Sequence, residues 1–578
     1  MVPQSSPPAQ DAATHPEWLH RPAQALTLPP GAVPGTPQPL LRGVRFAVKD
    51  NIDVAGWPTT AACPAFAYTA RQHATVVQRL LDHGAALVGK TNLDQFACGL
   101  SGTRSPYGAV PNAVNPSYVS GGSSSGSAYA VATGQVDLAL GTDTAGSGRV
   151  PAGLNNIVGL KPSKGLLSAA GVVPAAQSVD CVSIFAPTVA MAVRALRAAL
   201  GHDPQDPYSR RLELAQTPWP PSVRVGVPGT LEFFGDALAE AAFKDALQRV
   251  RALGAEVVTL DFSPLYAAAD MLYGSALVAQ RYAAVQPFFD AHPEAFIEPV
   301  RSIIGAGQGY TAADLVHAQT RLAALAQQAA PLWNAADVLL VPTAPTHVRT
   351  ADMLEQPVEL NRRLGAYTNF VNLLDYAALS VPSSLRPDGL PFGITFIGPC
   401  GSDLQLAELG QRYHHATGLP QGATGRPLPA PEPILPAPSA HTVRVAVVGA
   451  HLSGMPLNYQ LTERGAMLAG SAHTSNAYRL FALPGTTPPK PGLVRTQPGQ
   501  GGPIELEIWE MPVAAYGSFV ALIPQPLGIG TLELADGSTV QGFLAEAVAL
   551  QDAQDITALG GWRAYMRQLK AAIHAVAD

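Results

Sequence analysis

A proline-rich segment near the C-terminal third is the feature that most restricts how this chain can fold. Seven of the 21 residues from Leu419 to Ser439 are proline, and such a stretch stays extended because the proline ring fixes φ and removes an amide donor. The segment therefore predicts a semi-rigid spacer between two folded domains. We predict four parts in chain order: a Pro-rich tail over 1–40, a large domain over 41–418, a linker over 419–440 and a smaller domain over 441–578.

Ahead of the spacer, short apolar strands alternate with amphipathic helices. The pattern predicts a helix over Ala74–Asp82 that leads to a strand over Ala86–Val88. It also predicts a helix over Ala237–Leu253 that leads to a strand over Glu256–Leu260. Alternation of this kind is typical of the α/β class, so we predict an α/β fold for the large domain.

Behind the spacer, the pattern changes to strand-like runs with one clear helix at the end. The smaller domain is therefore predicted to be α+β and mainly sheet. Its predicted elements are strands over Arg444–Val448, Ala477–Leu483, Ile504–Ile508, Ser518–Ile523 and Thr531–Leu534, and a helix over Gly560–Ala575.

Composition excludes several classes of function. The chain has 36 Lys and Arg against 42 Asp and Glu, a net charge of -6, so it lacks the basic surface of a nucleic-acid-binding protein. Its apolar stretches are interrupted before the ~20 residues that a membrane-spanning helix needs. The first 40 residues have no apolar core of a secretory signal. We therefore expect a cytoplasmic protein that binds neither nucleic acid nor membrane.

Metal and disulfide chemistry are also not indicated. The four cysteines are scattered and form no C-x-x-C pair, and no pair of histidines has metal-ligand spacing with a carboxylate partner. We expect no metal and no cofactor. The four cysteines are Cys63, Cys98, Cys181 and Cys400.

The run from Ser120 to Pro162 concentrates glycine and serine around two short apolar segments. Loops of this composition allow successive backbone amides to converge on a small anion or a developing oxyanion. A phosphate-binding loop would need Lys-Ser or Lys-Thr after its second glycine, which this run lacks, so acyl transfer is favoured. No histidine lies in or near this run, so a serine nucleophile here would need another base.

Four motifs in this order resemble the amidase signature family: AVKDNID, GKTNLDQFACGLSGTRSPYG, GGSSSGSA and GTDTAGSGRVPA. The resemblance covers Leu41–His414 and implies an amidase-signature α/β domain with a mixed central sheet flanked by helices. It implies that Ser147 is the nucleophile, Ser123 the bridging serine and Lys49 the base. It also implies a cis peptide bond between Gly122 and Ser123.

The chemistry of such a triad sets conditions on its lysine. A lysine with a pKa near 10.4 is protonated at neutral pH, so Lys49 must be desolvated or held by neutral hydroxyls to act as a base. Ser123 would then pass the proton of Ser147 to Lys49. We expect Asp143 and Arg149 to brace the nucleophile loop. The expected oxyanion-hole donors are the backbone amides of Thr144, Ala145, Gly146 and Ser147.

Within this family, the chain resembles the allophanate hydrolase branch. Ala145 stands where most amidases have glycine, and WPTTAACPAFAYTA at 57–70 follows the same branch. Allophanate is a small urea that bears a carboxylate, so its pocket must hold a fixed cation and polar donors. The resemblance assigns substrate binding to Gly122, Tyr273 and Arg281. The spacing of eight between the last two predicts that both lie on nearly the same face of one helix.

The smaller domain resembles the C-terminal domain of allophanate hydrolases, which is similar to the γ-glutamylcyclotransferase fold. The resemblance implies that it breaks down the first product, N-carboxycarbamate, to carbon dioxide and ammonia. A dianionic product needs a proton donor in a small polar pocket, which makes His451, His473 and Glu510 candidates. His473 is preferred because it lies in a polar loop just before the strand that begins near Tyr478.

The combined prediction is an enzyme that hydrolyses allophanate (urea-1-carboxylate) to ammonia and carbon dioxide in urea or s-triazine catabolism. One alternative is another small-molecule amidase, such as a biuret hydrolase. A second is a glutaminase-type component of an amidotransferase, and a third is that the C-terminal domain is a docking module without chemistry. We expect a homodimer that associates with urea carboxylase or other pathway enzymes.

Overall fold

The structure is a computed structural model that describes residues 15–28, 39–220, 222–435, 442–497 and 499–577. The chain divides into two compact units. The first unit extends to Leu435 except for Ala215–Thr217, which group with the second unit that begins at Pro436. Residues 1–14 and 29–38 of the predicted tail, and 436–441 around the end of the predicted linker, lie outside the described residues.

The first unit contains both parallel and antiparallel strands, with helices between them. Its strands are β1 (Trp18–His20), β2 (Arg45–Lys49), β3 (Pro58–Thr59), β4 (Tyr68–Thr69), β5 (Ala86–Thr91), β6 (Leu138–Asp143), β7 (Val158–Lys161), β8 (Cys181–Ala186), β9 (Arg224–Pro228), β10 (Glu256–Leu260), β11 (Val338–Pro342), β12 (Ala377–Leu385) and β13 (Pro391–Gly398). Its helices are α1 (Thr75–Asp82), α2 (Ser125–Ala132), α3 (Val150–Leu154), α4 (Val189–Ala199), α5 (Ala237–Ala252), α6 (Ser263–Gly274), α7 (Ala279–Ala291), α8 (Val300–Gly305), α9 (Ala312–Ala329), α10 (Leu332–Ala335), α11 (Thr350–Glu355), α12 (Glu359–Leu364), α13 (Phe370–Leu373) and α14 (Asp403–Thr417).

Within the described residues, one large mixed sheet organises this unit, in the order β1-β5-β2-β6-β8-β7-β12-β13-β11-β9-β10. Strands β5, β2 and β6 are parallel, as are β11, β9 and β10, and the strands between these groups pair antiparallel. The predicted α/β fold with a mixed central sheet flanked by helices is confirmed. The predicted helices at 74–82 and 237–253 correspond to α1 and α5, and the strand predicted at 256–260 is β10.

The local sequence explains why the helices pack as they do. Helix α1 buries Val76, Val77, Leu80 and Leu81, a spacing that places them on one face of a helix turned toward the sheet. Helix α2 is buried over almost its whole length, and its small side chains allow close approach: a Cβ at Gly126 would overlap the backbone of Glu17. The Gly/Ser-rich composition of this region therefore allows close packing.

Two segments were predicted to lie outside the large domain, but they pack against it. Strand β1, within the predicted tail, pairs antiparallel with β5. Residues 419–435 of the predicted linker belong to the first unit, where Ile434 and Leu435 enter its hydrophobic core. Proline content predicted an extended backbone here but did not reveal that apolar residues between the prolines would be buried.

The second unit is built on sheet, as predicted. Its elements are β14 (Thr442–Val447), α15 (Tyr459–Thr462), β15 (Met467–His473), β16 (Tyr478–Ala482), β17 (Pro491–Arg495), β18 (Glu505–Pro512), α16 (Val513–Val520), β19 (Leu527–Glu533), β20 (Thr539–Ala545), β21 (Gln554–Asp555) and α17 (Trp562–Ala577). Within the described residues, the order β15-β18-β14-β20-β19 forms one sheet, and β17-β16-β21 forms another.

One predicted strand of this unit is wrong. The segment Ser518–Ile523 does not form a strand, because residues 513–520 form helix α16. A short apolar run fits a buried strand and a helix equally well. Here the run follows directly on β18, and Phe519 is the buried residue of the helix, packed into the core of the unit.

None of the helices in the described residues is both long and apolar enough to cross a membrane.

Candidate active site

The lysine and the bridging serine meet at the carboxyl ends of parallel strands. Lys49 is the last residue of β2, and its Nζ donates to Ser123 Oγ at 2.7 Å and to Thr142 Oγ1 at 2.7 Å. Lys49 and Ser123 are fully buried. The peptide bond between Gly122 and Ser123 is cis, as the sequence resemblance implies. Thr142 comes from the neighbouring strand β6, and sequence reasoning did not identify it.

The surroundings of Lys49 lower the pKa of its amine toward neutral pH. Burial lowers the pKa of Lys49 to about 7; the carboxylates of Asp94, Asp180 and Asp143 oppose that shift, and the charge of Arg281 adds to it. With a pKa of about 7, roughly half of the molecules carry a neutral amine at pH 7. Within the described part of the chain, the hydrogen-bond partners of Nζ are neutral hydroxyls rather than carboxylates.

Ser147 lies in the loop between β6 and α3 and is 3% exposed. Its Oγ donates to the carbonyl oxygen of Gly99 at 3.4 Å. Among the described residues, it makes no hydrogen bond to Ser123, so the predicted relay contact between the two serines is not formed. The Ser147 hydroxyl would have to turn from Gly99 toward Ser123 to complete it.

The predicted oxyanion-hole amides do not all remain open. The Gly146 amide donates to Asp143 Oδ1 at 2.9 Å, so it is already used inside the loop. Within the described residues, the amides of Thr144, Ala145 and Ser147 have no acceptor. Gly146 has a φ of 135° and a Cβ there would overlap the side chain of Thr368, so this position requires glycine.

The prediction that Asp143 and Arg149 brace this loop is confirmed. The guanidinium donates to both carboxylate oxygens at 2.9 Å, and both side chains are fully buried. Burial alone would raise the pKa of Asp143, but the paired Arg149 keeps it below its ordinary value. Arg149 also donates to Thr368 O at 3.2 Å and to Asn372 Oδ1 at 3.0 Å, residues that the sequence motifs did not reveal.

Tyr273 and Arg281 meet, but not on one helix as predicted. Tyr273 lies near the end of α6, and Arg281 lies in the first turn of α7. Ser275 separates the helices because it has an extended backbone, with its Oγ accepting from the amide of Leu277. The chain folds back at this break, and Arg281 Nη2 donates to Tyr273 OH at 3.0 Å.

The guanidinium of Arg281 is suited to bind an anion. The residue is 3% exposed, and its Nε and Nη1 are buried without hydrogen-bond partners among the described residues. Tyr273 covers it, with its ring centroid 5.1 Å from the Arg281 Cζ. A buried cation with open N–H groups can take a carboxylate. The charge of Arg281 also lowers the pKa of Lys49, so the two cations lie close enough to interact.

Gly122 is held between two other parts of the site. Its amide donates to Leu100 O at 2.7 Å, and a Cβ would overlap the carboxylate of Asp94. Asp94 in turn accepts from the amides of Gly102 at 3.1 Å and Arg104 at 2.8 Å. Asp94 lies within one of the motifs, but the sequence alone did not predict these contacts.

The second unit contains a separate cavity of about 150 Å³. Its polar lining includes His451, Gln460 and Lys490, and His451 Nε2 lies 2.9 Å from Gln460 Oε1. Burial lowers the pKa of His451; the Gln460 hydrogen bond opposes this shift and Lys490 adds to it. The preferred candidate His473 is exposed at the end of β15, and Glu510 is half-buried on β18; neither lines this cavity.

In the described residues, no group of three or more His, Cys, Asp or Glu side chains is arranged to hold a metal ion.

Comparison with known protein families covers both units. A model of the amidase family matches residues 16–407, and a model of the allophanate hydrolase C-terminal domain matches residues 443–567. A glutamyl-tRNA(Gln) amidotransferase component from Picosynechococcus is 33% identical over 436 residues, which are 69% of this chain and 89% of that protein.

Two further relatives match both units. The urea amidolyase of Saccharomyces cerevisiae is 45% identical over 547 residues, which are 92% of this chain but 30% of that longer protein. The chain thus spans less than a third of the length of this relative. A solved structure of Kluyveromyces lactis allophanate hydrolase is 43% identical, with a TM-score of 0.70, over 92% of this chain and 89% of that one.

Proposed function

Because this chain belongs to the amidase family and carries an allophanate hydrolase C-terminal domain, we propose that it hydrolyses allophanate to ammonia and carbon dioxide. The observation that carries the proposal is the 2.7 Å contact between Lys49 Nζ and Ser123 Oγ, with a pKa of about 7 for Lys49. This pair supports acyl transfer by a serine, a bridging serine and a lysine.

In the first step, Ser147 Oγ attacks the carbonyl carbon of the terminal amide of allophanate. Its proton passes to Ser123 as the proton of Ser123 passes to the neutral amine of Lys49. The Thr142 hydroxyl supports this role, because it accepts an N–H of Lys49 at 2.7 Å and leaves the amine lone pair for Ser123. The substrate carbonyl takes the place beside the open amides of the loop, and the Ser147 hydroxyl turns from Gly99 toward Ser123.

The negative charge that develops on the substrate oxygen is stabilised by backbone amides. Thr144, Ala145 and Ser147 have open amides, and each preorganised donor of this kind typically lowers the barrier by ~3 kcal/mol. The C–N bond then breaks, the proton returns from Lys49 through Ser123 to the leaving nitrogen, and ammonia departs. Water attacks the acyl-enzyme by the same path and releases N-carboxycarbamate.

The carboxylate of allophanate selects the substrate. Arg281 offers buried N–H groups that have no partner among the described residues, and Tyr273 OH lies beside them. A carboxylate bound there neutralises a buried cation and satisfies its donors, whereas a neutral amide can accept the hydrogen bonds but leaves the charge unpaired. This pocket favours allophanate over the alternatives of biuret and glutamine amide, since biuret lacks a carboxylate and glutamine carries it on a longer chain.

For the second half of the reaction, we propose the cavity that contains His451. N-carboxycarbamate carries two carboxylates, and Lys490 supplies a cation for one of them. One proton is taken up at nitrogen as a C–N bond breaks, which gives carbon dioxide and carbamate, and carbamate then yields ammonia and a second carbon dioxide. His451 exchanges the proton with that nitrogen, and Gln460 fixes its ring at 2.9 Å. His473 is not needed in this account.

The first experiment compares initial rates of ammonia release from allophanate, biuret, malonamate and glutamine. The proposal expects turnover of allophanate well above that of the other three. Faster turnover of biuret would favour the alternative small-molecule amidase, and faster turnover of glutamine would favour the amidotransferase component. Either result would contradict the role given to Arg281.

The second experiment follows the fate of ¹³C-allophanate by NMR in the full-length chain. His451→Ala is expected to release the first ammonia at the normal rate while N-carboxycarbamate accumulates. His473→Ala is the matched control and should show no accumulation. If His451→Ala clears the intermediate as fast as the unmodified chain, the role proposed for His451 is wrong and the docking alternative gains support.

Two further expectations remain proposals. The S. cerevisiae urea amidolyase is more than three times as long as the segment matched here, so we propose that this chain works beside an enzyme that supplies allophanate, such as a urea carboxylase. We also propose a homodimer. Sedimentation of the purified chain, alone and with the carboxylase, tests both.

A further inference from the structure

We propose that Thr368 and Asn372 are positioning residues that aim the oxyanion-hole amides of the Ser147 loop. The inference rests on the acyl-transfer reaction proposed above. Both residues are fully buried, and Thr368 lies just before α13 while Asn372 lies within it. Their spacing of four places them on the same side of this turn of the chain. That side is turned toward the loop, as their hydrogen bonds show.

The peptide unit is planar, which couples the direction of each carbonyl to that of the next amide. In a trans peptide, the C=O of one residue and the N–H of the next point in opposite directions. A donor that holds the carbonyl on one side of a loop therefore aims the following amide to the other side. An oxyanion hole needs such aimed amides, because its donors must be in place before charge develops.

Asn372 holds one of these carbonyls. Its Nδ2 donates to Asp143 O at 2.7 Å, which turns the amide of Thr144 away from α13. The same Nδ2 donates to Val179 O at 3.0 Å, and its Oδ1 accepts from Arg149 at 3.0 Å. All the hydrogen-bonding atoms of this side-chain amide are thus engaged, and the side chain has little freedom to turn.

Thr368 holds a second carbonyl of the same loop, that of Ala145. Its Oγ1 donates to Ala145 O at 2.6 Å, while the Gly146 amide on the other side of the same peptide donates to Asp143 at 2.9 Å. This peptide plane is therefore fixed from both sides. Its own amide is used by Asp143, so Thr368 acts on the open amides of Ala145 and Ser147, which belong to the peptides on either side of this plane. Gly146 O accepts from the amides of Arg149 at 2.9 Å and Val150 at 2.8 Å, which turns the Ser147 amide the opposite way.

The hydroxyl of Thr368 is the simplest part of this arrangement to remove. Thr368→Val keeps the shape of the side chain and loses the donor, whereas Thr368→Ser keeps the donor and loses a methyl group. Neither change touches Lys49, Ser123 or Arg281. A positioning role therefore predicts opposite outcomes for two variants that disturb packing to a similar extent.

The test uses a fluorophosphonate probe as well as allophanate. Ser147 Oγ forms a bond to phosphorus as fluoride leaves, and the phosphoryl oxygen needs the same amides as the substrate oxygen. The rate of labelling does not depend on which amide is the natural substrate. If the unmodified chain is labelled but does not turn over allophanate, the proposed substrate fails while the test of Thr368 remains valid.

For Thr368→Val, we expect the rate of labelling and kcat for allophanate to fall by about 10- to 100-fold, while KM stays within about twofold. This fall is smaller than the effect of removing an oxyanion-hole donor altogether. Thr368→Ser should remain within about threefold of the unmodified chain. Asn372→Ala, the second variant, should show the same fall in kcat without a rise in KM. The acid limb of the pH profile should not move in any of them.

Labelling of Thr368→Val and Asn372→Ala at the normal rate would overturn the proposal. Equal losses in Thr368→Ser and Thr368→Val would also overturn it, because the hydroxyl would then not matter. If the loss in both variants follows a loss of folded protein, measured by thermal unfolding of the full chain, the residues serve folding and the positioning role is refuted.

Discussion

Replacing Arg281 by glutamine removes the one charge that we assign to the substrate carboxylate. The guanidinium is 3% exposed and its Nε and Nη1 have no partner among the described residues, so the bound carboxylate would lose a buried, charge-assisted contact. Removing one partner of such a pair costs about 3 kcal/mol. At 1.36 kcal/mol per tenfold, this corresponds to a fall of roughly 150-fold in kcat/KM for allophanate.

The assay separates substrate binding from the acyl-transfer chemistry. Arg281 also lowers the pKa of Lys49, so the variant should have its acid limb at a higher pH than the unmodified chain. Fluorophosphonate labelling of Ser147 is therefore measured at pH 9, where Lys49 is mostly neutral in both proteins. Labelling should stay within about threefold, because the probe has no carboxylate to lose.

A matched control removes a similar charge elsewhere. Arg321 is an exposed residue on α9, and Arg321→Gln should change neither rate. The reasoning is refuted if Arg281→Gln lowers labelling as much as it lowers turnover of allophanate, since Arg281 would then support the catalytic machinery instead of the carboxylate. It is also refuted if kcat/KM for allophanate is unchanged.

Three further predictions follow from the same geometry. The kcat/KM for allophanate should rise with pH through about 7 and level off above it, because Lys49 must be neutral to accept a proton. At pH 6 a pH profile should give roughly a tenth of the plateau value. Lys90→Met should lower the free energy of unfolding by about 3 kcal/mol or more, since it leaves Asp50, 3.0 Å from the Lys90 amine, buried without its ion-pair partner; urea denaturation measures the loss. Gly146→Ala should abolish labelling of Ser147, because a Cβ would overlap Thr368 and the backbone has a φ of 135°.

The sequence was informative where short, recognisable motifs contain the residues that meet. Lys49 ends a buried strand and Ser123 lies in a glycine-rich run, and the resemblance of their motifs to the amidase signature family predicted the contact that the fold makes between them. The pairing of β2 with β6 then places Lys49 beside Thr142. That neighbour was not predictable, because nothing in the motif tells which two strands will be adjacent.

Interactions between distant segments were the ones that sequence reasoning missed. Thr368 and Asn372 lie more than 200 residues after the loop they contact, and neither belongs to a recognisable motif. The contact between Tyr273 and Arg281 was predicted correctly, but their spacing suggested that both lie on one helix. In the structure the first helix ends at Gly274, and Arg281 belongs to the next α-helix. Residue spacing predicts which face of a helix two side chains share. It does not predict where the helix ends, nor that the two side chains still meet across the break.

In the second unit, the candidate histidines differ in where the fold places them. His473 was preferred for its polar loop, whereas His451 follows a buried strand and lines a cavity with Lys490. A half-buried histidine close to a strand end has no local pattern that predicts whether it lines a cavity. The apolar run near Phe519 was assigned to a strand, although the structure forms a helix there. A short apolar run fits a buried strand and a helix equally well until its packing partner is known.

The most direct test of the central claim is the initial rate of ammonia release from allophanate by the unmodified chain, Ser147→Ala and Lys49→Met. The account predicts turnover by the unmodified chain and a loss of at least about a thousandfold in each variant, because the nucleophile or its base is missing. Turnover that survives in Ser147→Ala would show that another group attacks the amide, and the proposed triad would be wrong.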